Sequence, residues 1–140
     1  MHTNIREVVI KYKGQARKTL STITDPRDAA DFIRKVMPDN CKEHLAALYL
    51  DGSHKPIGYQ IISTGTANSA YFHPREVFQG AVLCGAVALI MAHNHPSGEL
   101  TPSREDVEVT KRVKEAGTLL GINVLDHVVI TDDSYRSILN

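Results

Sequence analysis

Two histidines one residue apart, His93 and His95, stand at the end of the most apolar run of the chain. Ser103 and Asp106 follow shortly after. Neutral imidazole and ionised carboxylate are the side chains that hold divalent metals at oxygen- and nitrogen-rich sites. In an extended chain, residues i and i+2 project to the same side, so His93 and His95 leaving a strand can converge on one cation. Pro96 and the stretch "SGELTP" reverse the chain, and a helix beginning at Ser103 delivers Asp106 back towards the same point. Two imidazoles and one carboxylate leave a fourth tetrahedral position open, the arrangement of a catalytic rather than a structural zinc site. The same residues have a plainer reading: a hydrogen-bonded histidine pair at a loop mouth, and a helix N-cap with an acid at its third position. The two combine if Ser103 caps the helix while Asp106 turns to the metal.

The elements that must position these residues are legible from periodicity. "AVALIMA", Ala86 to Ala92, is short and continuously apolar, as expected of a central strand covered on both faces. "TDPRDAADFIRKVMP" predicts a helix with Asp25 as cap, Pro26 at its first position, an apolar face of Ala29, Phe32, Ile33 and Val36, and Pro38 as its end. "HLAALYLDGSHKPIGYQIIST" predicts strand, Asp-Gly turn and strand. A helix is expected from Pro74, burying Val77, Val82 and Leu83, and another from Ser103, with Gly117 or Gly121 near its end. "INVLDHVVIT" reads as the next strand, and "DDSYRSILN" as a turn and short edge strand. The alternation of Ile5, Val8 and Ile10 predicts a half-buried strand in an N-terminal segment, residues 1–24, ahead of one domain over 25–140. The fold class is therefore α/β in the mixed sense, a central sheet flanked by helices.

Composition narrows the function classes. The chain has 140 residues, 42% hydrophobic and 23% charged, with no Trp, so an aliphatic core is expected of an ordinary globular domain. Lys plus Arg and Asp plus Glu stand at 16 each, for a formal net charge of zero. A dedicated nucleic-acid binder usually carries a basic excess, because phosphate neutralisation supplies most of its affinity. The local run "IKYKGQARK", Ile10 to Lys18, reads as a solvated strand and turn. Two cysteines, Cys41 and Cys84, make neither a disulfide framework nor a Cys-x-x-Cys site. No signal peptide or membrane span is read, so a cytoplasmic protein without a membrane partner is expected.

The spacing His93-x-His95, seven residues, Ser103, two residues, Asp106 resembles the JAMM motif of MPN-type metallopeptidases, His-x-His-x(7)-Ser-x-x-Asp. The resemblance implies His93, His95 and Asp106 as ligands of one zinc ion and Ser103 as a helper at the oxyanion. It also requires a glutamate just before the first strand of the sheet. Glu43, immediately before "HLAALYL", has that place; Glu7 lies in the wrong context and Glu76 reads as a helix N-terminal acid. Within that superfamily, "HPREVFQGAVLCGAVALIMAHNHPSGELTPSREDVEVTKRVKEAGTLLGINVLDHVVI" is most similar to the RadC family, over about residues 26 to 140. The resemblance implies a cytidine-deaminase-like MPN/JAB domain. Longer RadC members carry a helix-hairpin-helix region, and the strand-like opening segment here does not supply one, so DNA binding is not carried over. Nor do the adjacent letters of His93-Asn94-His95 indicate an HNH nuclease, whose residues are dispersed through a ββα unit.

Several further residues have structural expectations. Asp126 and His127 lie in an apolar strand and need hydrogen-bond partners, either beside the metal ligands or as a satisfied core pair. His44 should face away from Glu43, His73 should be a loop or cap residue, and Cys84 should be buried rather than reactive. Thr64, Gly65 and Thr66 read as a strand-end turn rather than a groove. The function expected is a zinc-dependent metallohydrolase of a peptide or isopeptide bond, with Glu43 and Ser103 catalytic and a peptide or protein substrate. Its alternatives are an accessory binding module of DNA repair without turnover, and a metal-dependent nuclease. A homodimer is left open.

Overall fold

A computed structural model describes residues 1–14, 22–65 and 72–139. The elements follow the order α1 (Pro26–Val36), β1 (His44–Leu50), β2 (Pro56–Thr64), α2 (Pro74–Leu83), β3 (Ala88–Asn94), α3 (Arg104–Leu120), β4 (Asn123–Ile130) and β5 (Tyr135–Ser137). The five strands form one mixed sheet in the order β2-β1-β3-β4-β5. Among the described residues only β3 and β4 run parallel, and α3 makes the crossover between them. Such a crossover places its helix against the sheet face, which is how α3 comes to lie over β3 and β4.

Strand parity divides the core into two layers. Ala46, Leu48 and Leu50 of β1, with Ala88, Ile90 and Ala92 of β3, face Ala29, Ala30 and Ile33 of α1. Leu45, Ala47 and Tyr49, with Leu89 and Met91, face Val77, Phe78 and Ala81 of α2 and Val113 of α3. Because both faces are covered, β1 and β3 are buried at every position and carry no polar alternation. The same parity puts His93 on the face that α3 covers.

The helix ends follow their local chemistry. Asp25 and Asp28 form a capping box at α1, with Pro26 at its first turn. Ser103 and Asp106 form another at α3, which ends in Gly121 at φ 71°, a left-handed conformation that glycine adopts without a Cβ penalty. Gly117, by contrast, lies within α3, where a Cβ would meet the carbonyl oxygen of Ile122.

Three expectations are corrected. No strand forms at Ile5, Val8 and Ile10, which are exposed within the N-terminal segment. Alternation marks a face only where a neighbouring strand takes up the backbone hydrogen bonds, and residues 1–12 pair with none among the described residues. On α2, Val82 and Leu83 are 60% and 42% exposed; Val77, Phe78 and Ala81 supply the buried side. The third correction bears on the site. The central strand starts at Ala88 and continues through Asn94, so His93 is a strand residue rather than one leaving the strand. Thr66, Arg17 and Lys18 lie outside the described residues.

Candidate metal centre

Four side chains from three parts of the chain meet at the end of β3. His93 sits inside the sheet, paired with Leu45 of β1 on one side and Val129 of β4 on the other. His95 lies just past the strand, where its N–H donates to the Ile130 carbonyl, prolonging the β3–β4 pairing. Asp106 is the third residue of α3, and Glu43 immediately precedes β1. One ligand atom from each of Glu43, His93, His95 and Asp106 lies within 4.8 Å of all the others, a cluster able to hold a metal ion.

The close contacts centre on two imidazole nitrogens and one carboxylate. His93 Nε2 is 2.8 Å from His95 Nε2 and 3.2 Å from Asp106 Oδ2. His95 Nε2 is 3.4 Å from the same oxygen, and Glu43 Oε1 is 4.0 Å from His93 Nε2. On the far side of its ring, His95 Nδ1 lies 2.7 Å from the Glu99 carbonyl oxygen. A carbonyl only accepts, so Nδ1 carries the proton and the neutral ring turns a bare Nε2 lone pair to the cluster. Lone pairs and carboxylate oxygens this close repel one another unless a cation or a proton lies among them. The donor set therefore fits a divalent metal ion, with imidazole and carboxylate as ligands.

The electrostatics reflect that crowding. Burial raises the pKa of Asp106, but the closeness of its carboxylate to the His93 and His95 rings outweighs it and holds the carboxyl well below the usual range. The neighbouring Asp106 carboxylate raises the pKa of His95, against burial. Burial raises Glu43, opposed by the two imidazoles.

Asp106 performs two tasks with one carboxylate. Its Oδ2 accepts the Ser103 N–H at 2.8 Å while facing the histidines, and its own N–H donates to Ser103 Oγ at 3.0 Å. The capping box and the cluster are thus the same residues, and the helix end that needs an acid for its own stability aims that acid at the site.

Glu43 is placed by its neighbours. The Asn94 side chain accepts the His44 N–H at 2.7 Å and donates to the Lys42 carbonyl at 2.8 Å. The Glu43 carbonyl accepts the Gly65 N–H at 2.9 Å. Sequence reasoning passed over Asn94 as the spacer between two histidines. Its signal was a carboxamide at the end of a fully buried strand, where an unpaired amide is costly.

The remaining residues sort by face. His127 is buried against His93, whose Nδ1 lies 2.7 Å from His127 Nε2; burial drives His127 far below the ordinary imidazole range. Asp126 instead accepts from Ser137 and from the Leu139 N–H, holding the C-terminal tail. The two are therefore not a pair of side chains: one belongs beside the cluster and the other does not. His44 faces away from Glu43, with Nδ1 2.8 Å from Thr64 Oγ1 and Nε2 3.1 Å from Asp39. His73 caps α2, and Glu76 completes that capping box. A cleft of about 570 Å³ opens beside His95, bordered by Arg34, Asp39, Asn94 and Thr131.

A family profile described as a RadC-like JAB domain matches residues 23–140. The chain belongs to the RadC family. UPF0758 proteins of two bacteria illustrate the RadC relationship. That of Staphylococcus haemolyticus is 46% identical over 117 residues, covering 84% of this chain and 51% of the relative. That of Geotalea uraniireducens is 41% identical over 134 residues, covering 96% and 59%. The chain thus spans about half the length of the curated RadC relatives it matches. Its mixed sheet with helices on both faces is that of a JAB/MPN domain. No helix among the described residues is long and apolar enough to cross a membrane.

Proposed function

We propose that this RadC-family domain is a zinc-dependent hydrolase of a peptide or isopeptide bond, with His93, His95 and Asp106 as metal ligands. The observation that carries the reading is the convergence of Glu43 with those three residues, within 4.8 Å, from a separate part of the chain. A structural zinc site needs four ligands and no spare acid; three ligands beside a carboxylate supply a base where water and substrate would meet. Zinc at such a site acidifies water and polarises a carbonyl oxygen.

The protein's own groups perform the remaining work. Glu43, with a pKa raised by burial, accepts a proton from the attacking water and passes it to the departing amine. Asn94 and Gly65 hold the backbone around it, so the carboxylate need not be recruited from solvent. The Ser103 oxygen is engaged as the cap of α3, and its hydroxyl hydrogen is left to donate to the oxyanion of the tetrahedral intermediate. The outer edge of β2, at one end of the sheet, offers backbone groups to an extended peptide.

The test is Glu43→Gln in zinc-loaded protein, assayed on peptide and isopeptide libraries by mass spectrometry. The reading expects cleavage by the unaltered protein, loss of at least about a hundredfold in the variant, and zinc retained. Zinc lost from the variant would make Glu43 a ligand and overturn its role as base.

A further inference from the structure

The contact between His93 and His127 is the first of three that run in one direction, and each direction follows from the atoms involved. Thr110 Oγ1 is 2.6 Å from the Asp106 carbonyl oxygen. The carbonyl can only accept, so the single hydroxyl hydrogen of Thr110 points there. Thr110 Oγ1 is also 2.6 Å from His127 Nδ1, and with its hydrogen spent the hydroxyl must accept in that contact. His127 therefore carries its proton on Nδ1. A neutral imidazole has one N–H, which leaves His127 Nε2 as an acceptor. His93 Nδ1, 2.7 Å from it, is then the donor, and the neutral His93 ring has a bare Nε2.

We infer that His127 and Thr110 are positioning residues that hold His93 in its metal-binding tautomer and tie it to the helix carrying Asp106. This rests on the metal reading above. His127 is 1% exposed on β4, and Thr110 is 1% exposed one helical turn beyond Asp106. The chain begins at one ligand, on β3, and ends on the backbone of another, on α3, passing through the parallel neighbour β4. It thus fixes both the ring rotation of His93 and the distance between strand and helix. Metal-ligating histidines ordinarily donate their second N–H to a carboxylate, carbonyl or water. Here the acceptor is a second histidine, itself relayed to a carbonyl. A carboxylate in that place would bury a further negative charge in the sheet interior, whereas a neutral ring satisfies the contact without one.

Nitrogen NMR on histidine-labelled protein reads the tautomers directly, and chelator competition reads zinc affinity, both without substrate. The inference expects the proton of His127 on Nδ1 and a bare His93 Nε2 that shifts on zinc addition. Thr110→Val, nearly isosteric and suited to the buried position, should weaken zinc about ten- to a hundredfold, in the range typical of lost partners of metal ligands. Thr110→Ser should restore affinity, since it returns the hydroxyl alone. Circular dichroism and thermal unfolding establish that the variants fold. A proton on His127 Nε2, or zinc affinity unchanged in folded Thr110→Val, overturns the inference. Zinc absent from the unaltered protein overturns the metal reading and the inference with it, and is seen before any substitution is made. Bound zinc without amide hydrolysis counts against the proposed function alone.

Discussion

Asn94 grips the chain on both sides of Glu43, taking the N–H of His44 and giving to the carbonyl of Lys42. The residue between the two histidines of the cluster therefore anchors the acid that faces them. Asn94→Leu keeps the volume and removes both contacts, leaving the buried His44 N–H unpaired at about 1–3 kcal/mol. Chemical denaturation should show a loss within that range. Hydrogen exchange should show faster opening at His44 and Gly65 than at Ala47, inside β1. Uniform loss of protection along β1 would contradict a role local to Glu43.

Ser103 is expected to affect stability and chemistry separately. Its oxygen caps α3, so Ser103→Ala should cost about 0.5–2 kcal/mol. Asp106 keeps its contacts with the histidines, so zinc content should remain. Ser103→Thr retains the cap oxygen and should recover most of the stability. Loss of zinc from folded Ser103→Ala would show that the cap is needed to aim Asp106.

Gly117 stands where α3 passes the backbone of Ile122, and a methyl group there meets a carbonyl that cannot rotate away. Gly117→Ala should therefore destabilise by about 1–3 kcal/mol, the usual cost of overpacking, despite the better helix propensity of alanine. Thermal unfolding measures this. A stabilised variant would mean that the turn from α3 into β4 is more adaptable than its geometry indicates.

Much of the fold was legible because the signals were strong and local. Asp25-Pro26 and Ser103 mark helix starts by capping chemistry, and "AVALIMA" marks a doubly covered strand by its lack of polar residues. The residues of the cluster were legible from spacing, since His-x-His on a strand and Asp106 at a helix start can meet only if the chain reverses between them. Glu43 was found by resemblance; nothing local distinguishes it from a solvated acid. The contacts of Asn94, Thr110 and His127 were illegible because they depend on register: His127 meets His93 only through the parallel pairing of β4 with β3. The N-terminal arm misled for a related reason, its alternation describing a face without a sheet to receive it.

Nucleic acid is a weaker partner in this account than a peptide. With Lys plus Arg equal to Asp plus Glu, the chain has no excess of cations to neutralise phosphates. Titration with duplex and single-stranded DNA at physiological salt should give dissociation constants of about 10⁻⁴ to 10⁻⁶ M, falling in affinity as salt rises. Such binding should depend on Lys11, Lys13, Arg17 and Lys18 rather than on the cluster. Tight binding abolished by His93→Ala, or metal-dependent cleavage of DNA, would favour a nuclease.

The central claim is that His93, His95 and Asp106 form one zinc site. Elemental analysis of protein purified without chelator measures it most directly, beside His93→Ala/His95→Ala and Asp106→Asn. The account predicts one zinc per chain in the unaltered protein, none in the double variant, and weakened binding in Asp106→Asn. Zinc content unchanged by removal of both histidines would contradict it.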